Sequence, residues 1–166
     1  PESVLSDHAA AAIALVTPEG EVRLAADDLH FPNGTVITPD GRTLVVGETL
    51  AAALTAFDID EAGGLSNRRL WASTAPRLPD GICLDAEGAI WIANPLAPEC
   101  ARYAEGGEIL EVVETSQPAF ACMLGGVDGR TLFIFTAPSS VPHLVAQNPL
   151  GRIETFRARA PHAGWP

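Results

Sequence analysis

The chain predicts an all-β fold built as a β-propeller, and three observations carry that expectation. First, a short apolar strand, a polar glycine turn and a second apolar strand recur three times, over Asn33–Val46, Leu78–Ala93 and Cys122–Phe135. Second, the turn glycines Gly41, Gly88 and Gly129 fall 47 and 41 residues apart, a period suited to one four-stranded blade. Third, the paired strands leave no room for a helix between them, so they connect as hairpins. One small sheet cannot bury both faces and must stack on its neighbours.

Residues Pro1–Ala11 are weakly patterned and read as an arm or a broken connection. Ile13–Val16, the turn Thr17-Pro18-Glu19-Gly20 and Glu21–Ala25 form a hairpin by turn chemistry and alternation. This hairpin, within residues 12–26, reads as the outer half of a blade. The next blade spans residues 33–73, with strands Gly34–Thr38, Thr43–Glu48, Ala52–Ile59 and Arg68–Ala72. The third spans residues 80–114, with Cys100–Ala104 and Glu108–Val113 as its outer hairpin around Glu105-Gly106-Gly107. The fourth spans residues 120–157 and ends in the strand Gly151–Phe156. Its middle, Ala137–Pro149, contains Pro138, Pro142 and Pro149 and is expected to be a loop. The tail Arg159–Pro166 reads as coil. About three and a half blades result, all in one domain over residues 1–166.

The net charge of −11 and the scatter of ten basic residues, all arginine, exclude the clustered cations that nucleic acid requires. An acidic protein is compatible with cations or neutral small molecules as partners. Three cysteines, Cys83, Cys100 and Cys122, form no CxxC and fit neither a disulfide framework nor a structural zinc site. Cys83 and Cys122 fall in apolar strands and are expected to be buried, inert thiols. No run of 18 apolar residues and no signal-peptide pattern is present, so no membrane partner and a cytoplasmic location are expected.

In a propeller, residues opening the innermost strands of successive blades converge at one end of the central channel. Asn33 and Asp80 hold that position, 47 residues apart, with Ala121-Cys122 as the expected counterpart in the fourth blade. An amide oxygen and a carboxylate are hard ligands suited to Ca²⁺, Mg²⁺ or Mn²⁺. Asp80 follows Pro79 and precedes Gly81, so a turn-forming role is the competing reading of the same residue.

Several phrases together carry a family resemblance. They are Phe31-Pro32-Asn33-Gly34, Gly64-Leu65-Ser66-Asn67-Arg68-Arg69, Leu78-Pro79-Asp80-Gly81-Ile82 with Asp85-Ala86-Glu87-Gly88 and Trp91, Leu124-Gly125-Gly126 with Asp128 and Leu132, and Gly151-Arg152-Ile153. In that order and spacing the chain resembles the senescence-marker-protein/gluconolactonase/luciferin-regenerating-enzyme family, over the C-terminal half of the family's fold. The resemblance implies a six-bladed propeller that hydrolyses lactones of sugar acids or related cyclic esters. It implies one divalent cation, usually Ca²⁺, with Zn²⁺, Mg²⁺ or Mn²⁺ as alternatives. It also implies Asn33 and Asp80 as metal ligands and Asp80 as the residue that helps to deprotonate the attacking water. Two further family ligands, a Glu from the first strands and an Asn or Asp from a middle blade, have no counterpart in these residues. Closing the ring then requires the N-terminal half of the fold or a second chain. The alternative expectation is a non-catalytic propeller module for binding or scaffolding.

Other candidates have structural readings. Glu48 and Asn94 end second strands and are expected to serve as a strand-end hydrogen bonder and a turn former. His30, His143 and His162 lie apart without HxxH or HExxH spacing, and no serine sits in a GxSxG elbow. Trp71 and Trp91 fit packing between blades.

Overall fold

Hairpin after hairpin, the chain pairs only strands adjacent in sequence, and its turns sit where the glycine chemistry put them. The structure, a computed structural model, describes residues 9–147 and 149–164. Residues 1–8, most of the N-terminal stretch read as an arm, and the end of the tail lie outside the described residues.

Strands β1 (Ala11–Val16) and β2 (Val22–Leu29) form a two-stranded sheet. Strands β3 (Pro32–Ile37), β4 (Thr43–Glu48), β5 (Ala53–Ile59) and β6 (Leu65–Ser73) form a four-stranded sheet in sequence order. A second four-stranded sheet holds β7 (Ile82–Leu84), β8 (Ile90–Asn94), β9 (Glu99–Tyr103) and β10 (Ile109–Glu114). A three-stranded sheet holds β11 (Ala119–Gly125), β12 (Thr131–Thr136) and β13 (Arg152–Arg157). Every named strand pairing is antiparallel, as short hairpin turns at Gly41, Gly88 and Gly129 require.

The edge strands β10 and β13 are the least buried of their sheets. All five residues of β8 are buried, whereas β10 and β13 alternate between exposed and half-buried residues. Beside a small cluster of Leu29, Val46 and Phe57 under the first hairpin, two apolar clusters fill the spaces between the larger sheets. One joins Val45, Leu54 and Trp71 of the first four-stranded sheet to Ile82, Ile90 and Ile92 of the second. The other joins Trp91, Cys83 and Cys100 to Cys122, Leu132 and Ile134 of the last sheet. Trp71 and Trp91 therefore pack between sheets, as their apolar strand contexts suggested.

The first strands of neighbouring sheets touch one another: β3 lies against β7, and β7 and β8 lie against β11. Main-chain hydrogen bonds join them, from Gly34 N–H to Asp80 C=O and from Gly81 N–H to Phe120 C=O, each 3.0 Å long. The approach leaves no space for side chains at the donors. A Cβ at Gly34 would stand 2.5 Å from the Ile82 nitrogen, and one at Gly81 would stand 2.7 Å from the Ala121 Cα. Glycine is required here by close backbone approach.

Two local features depart from the sequence expectation, and a third refines it. The segment Ala137–Pro149 contains the helix α1 (Pro142–Gln147). Pro142 suits its first turn, where a missing N–H costs nothing, and the Ser139 hydroxyl accepts from Val141 N–H just before it. Strand β6 begins at Leu65, three residues before the expected start at Arg68, so the connection from β5 is shorter than expected. The tail lacks a full strand but is tied down. Pro161 C=O accepts from Ala86 N–H, and His162 N–H donates to Gly129 C=O.

Candidate functional site

Asp80 is held on backbone that leaves it little freedom. Its N–H donates to Ala93 C=O across 3.0 Å, while its own C=O accepts from Gly34. The loop before it is anchored by Thr74, which is fully buried and whose hydroxyl donates to Arg77 C=O across 2.9 Å. Tyr103 Oη in turn donates to Thr74 C=O. Arg77 then forks onto Glu99, with Nε to Oε1 at 2.9 Å and Nη2 to Oε2 at 3.2 Å. Planar bidentate pairing of this kind fixes orientation as well as charge. Burial alone would push the Glu99 carboxyl up, but hydrogen bonds from Arg77 and Asn94 outweigh it and hold it below the usual range.

Asn33 and Asp80 come together from adjacent inner strands. Both are half-buried. Burial raises the Asp80 carboxyl above the ordinary aspartate value, and a hydrogen bond from the Asn33 carboxamide offsets only part of that. No arginine pairs with Asp80 among the described residues, in contrast to Asp58, Asp85, Glu48 and Glu99. A half-buried carboxylate beside a carboxamide, with no cationic side chain, is a donor set that fits a hard divalent cation. It supplies two donors. Among the described residues, no group of three or more His, Cys, Asp or Glu is placed to hold a metal ion.

The hydrogen-bond ladder also identifies the third position in this series. Gly34 bonds to Asp80 as Gly81 bonds to Phe120, so the residue matching Asn33 and Asp80 is Phe120. The sequence expectation of Ala121-Cys122 is off by one residue. Its cause is Ala121, which stands where the other two blades have glycine and removes the marker that set the alignment.

The remaining candidates are occupied structurally. Glu48 is buried, and its carboxylate accepts from the Thr55 hydroxyl at 2.5 Å, His30 N–H at 2.7 Å and Arg68 Nη2 at 3.1 Å. Burial pushes it up, yet these donors win and hold it below the usual range. Asn94 accepts from Leu96 N–H and donates to Glu99, which is the turn role expected of it. Cys83, Cys100 and Cys122 are free and buried, with Cys83 Sγ and Cys122 Sγ 3.9 Å apart. Hydrogen-bond contacts with Cys100 and Cys83 that favour the protonated form, together with burial, push the Cys122 thiol up.

Sequence reasoning missed Thr49. It opens the 3₁₀ turn Thr49–Ala51 directly after Glu48, and its hydroxyl donates to Pro79 C=O across 2.7 Å while accepting from Asn33 Nδ2 at 3.4 Å. A lone threonine after a strand carries no distinguishing signal.

Comparison with known proteins agrees with this architecture. Regucalcin from Danio rerio is 33% identical over 132 residues, covering 76% of this chain and 45% of that protein. The structure of regucalcin from Agrobacterium tumefaciens is 24% identical and superimposes with a TM-score of 0.73, over 92% of this chain and 53% of that one. A gluconolactonase from Xanthomonas campestris is 31% identical, with a TM-score of 0.66 over 76% of this chain and 42% of that one. The chain thus spans about half the length of the curated relatives it matches. The fold is all-β and of the propeller type, present as part of a ring. A family model described as SMP-30/Gluconolactonase/LRE-like region matches residues 3–138, more than half of the sequence, and the chain belongs to that family.

Proposed function

We propose that the protein hydrolyses lactones of sugar acids or related cyclic esters, using a divalent cation that Asn33 and Asp80 help to hold. The observation that carries this reading is the half-buried Asp80 carboxylate beside the Asn33 carboxamide, with no arginine paired to it among the described residues. Family membership supports the same reaction class, since one similar structure is a gluconolactonase. Ca²⁺ is the first choice of cation, because the similar regucalcin structure is described as a calcium-binding protein.

When bound, such an ion would polarise the lactone carbonyl and stabilise the charge developing on its oxygen. Asn33 contributes a neutral oxygen and Asp80 a charged one, which together favour a hard cation over a soft one. Asp80 is also the one carboxylate of this pair that can accept a proton from an attacking water. The two duties compete, since a carboxylate engaged by a cation is a weaker base. We assign Asp80 to the ligand role first and to the proton-accepting role second. The rigid loop from Thr74 to Asp80 serves both by fixing where the carboxylate stands.

The test is proton release from D-glucono-1,5-lactone by the purified protein, with Ca²⁺ and after chelation. Cation-stimulated turnover that is lost in Asp80→Ala is expected. Turnover indifferent to both chelation and Asp80→Ala would overturn the assignment. A second reading, a non-catalytic binding or scaffolding module, draws on the presence of only two clustered oxygen donors among the described residues. Metal-independent folding with no lactone or ester turnover would favour it.

A further inference from the structure

We propose that Thr49 is a positioning residue for the cation site, orienting the Asn33 carboxamide and anchoring the backbone before Asp80; the inference rests on the reading of Asn33 and Asp80 as ligands. Thr49 is only 7% exposed. Its N–H donates to Phe31 C=O across 3.1 Å, which ties it to the segment leading into Asn33. Its hydroxyl bridges two blades, to Pro79 on one side and to Asn33 on the other.

Hydrogen-bond direction makes this bridge informative. A hydroxyl has one hydrogen and a carbonyl can only accept, so the short contact to Pro79 C=O commits the Thr49 hydrogen there. Toward Asn33, Thr49 can then act only as an acceptor. The carboxamide must therefore present its NH₂ end to Thr49. In a planar amide that turns Oδ1 away from Thr49, and Oδ1 is the atom a hard cation takes. The Asp80 carboxylate accepts from the same NH₂ end. Once a cation engages that carboxylate, Thr49 is the partner that keeps the amide in its ligating sense.

The Pro79 contact does a second job. Proline has no N–H, so its carbonyl is the only backbone polar group it can satisfy, and Pro79 is buried. Thr49 supplies that partner one residue before Asp80. A single hydroxyl thus couples the orientation of one ligand to the placement of the other, although Asn33 lies on β3 and Asp80 in the loop before β7 of the next sheet. Groups that orient metal ligands in this way commonly change affinity when removed, without touching the metal.

The experiment is calorimetric titration of Ca²⁺, with Tb³⁺ luminescence as a second probe, into the wild type, Thr49→Val and Thr49→Ser. Thermal melting of each in chelator is recorded alongside. Thr49→Val keeps the side-chain shape and is expected to weaken cation binding by about tenfold or more, while Thr49→Ser keeps the hydroxyl and stays within about twofold of wild type. Wild-type affinity in Thr49→Val, even with a lowered melting temperature, would overturn the proposal and leave Thr49 a purely structural residue. Equal losses in both variants would also overturn it, since the hydroxyl would not be the cause. Should Thr49→Val not fold, Thr49→Ala takes its place in the comparison. A wild type that binds neither Ca²⁺ nor Tb³⁺ would instead overturn the reading of Asn33 and Asp80 as ligands, and this inference with it.

Discussion

Arg102 and Asp85 form a buried ion pair between strand β9 and the turn that joins β7 to β8: Arg102 Nε donates to Asp85 Oδ2 across 2.7 Å, with the two side chains 4% and 0% exposed. Asp85 Oδ1 meanwhile accepts from the N–H groups of Glu87 and Ala89 and so closes the turn at Gly88. A second contact from Arg102 Nη2 reaches Glu87 at 2.8 Å.

Removing one partner of such a pair leaves a buried charge without compensation. Arg102→Ala is expected to lower unfolding stability by about 3–5 kcal/mol, read from urea denaturation. A double variant, Arg102→Met with Asp85→Leu, should recover only part of that loss, because the Glu87 and Ala89 N–H groups also lose their acceptor. A small effect of Arg102→Ala would mean that water reaches Asp85 in solution.

The inner glycines make a sharper structural prediction. Gly34→Ala and Gly81→Ala each drive a Cβ into neighbouring backbone, which cannot move aside as a side-chain tip could. Each is expected to cost about 3 kcal/mol, the upper end of ordinary overpacking, and to lower the melting temperature accordingly. Gly20→Ala is the informative control. Its added Cβ meets nothing within 4 Å, but its φ of +86° strains an alanine, so it separates backbone strain from collision.

Stability should fall in acid. Glu48 and Glu99 both titrate below their ordinary values in the folded protein. A depressed carboxyl stabilises the fold above its unfolded pKa, about 4.3 for glutamate, and that contribution disappears as pH falls through the lower folded value. Denaturation midpoints measured from pH 6 downward are expected to drop below about pH 4.5. Glu48→Gln should flatten part of that slope while itself lowering stability at neutral pH. A slope unchanged in Glu48→Gln would remove Glu48 from the account.

The thiols should be silent while the protein is folded. All three are free and buried, and the Cys122 thiol titrates well above its ordinary value. Thiolate is the reactive form, so burial and a raised pKa both suppress modification. Labelling with an aromatic disulfide reagent at neutral pH is expected to require denaturant and then to report three thiols per chain. Rapid labelling without denaturant would show that the interface between the last two sheets opens readily.

The parts of this molecule that were legible in the sequence are those with a local signature. Gly41, Gly88 and Gly129 mark turns because left-handed backbone there needs glycine, and they carried the repeat. Asn33 and Asp80 stood out because each lies between a proline and a glycine at the start of a strand. Phe120 lacks both flanks and was misaligned by one residue for that reason. The helix Pro142–Gln147 was hidden because prolines were counted as breakers, although one of them opens the helix. Arg77 and Glu99 lie 22 residues apart, and Thr49 and Pro79 lie 30 apart. No local pattern could have joined them, since only the stacking of sheets brings them into contact.

The main-chain bonds that run from Gly34 to Asp80 and from Gly81 to Phe120 have a consequence for tolerance to change. They let the channel-end groups be spaced by peptide geometry, independent of which side chains fill the outer hairpins. The exposed positions of β10 and β13 can therefore accept substitutions while the oxygen donors keep their separation. Such a scaffold can be resurfaced extensively at its rim, toward new solubility or new neighbours, without retuning its centre.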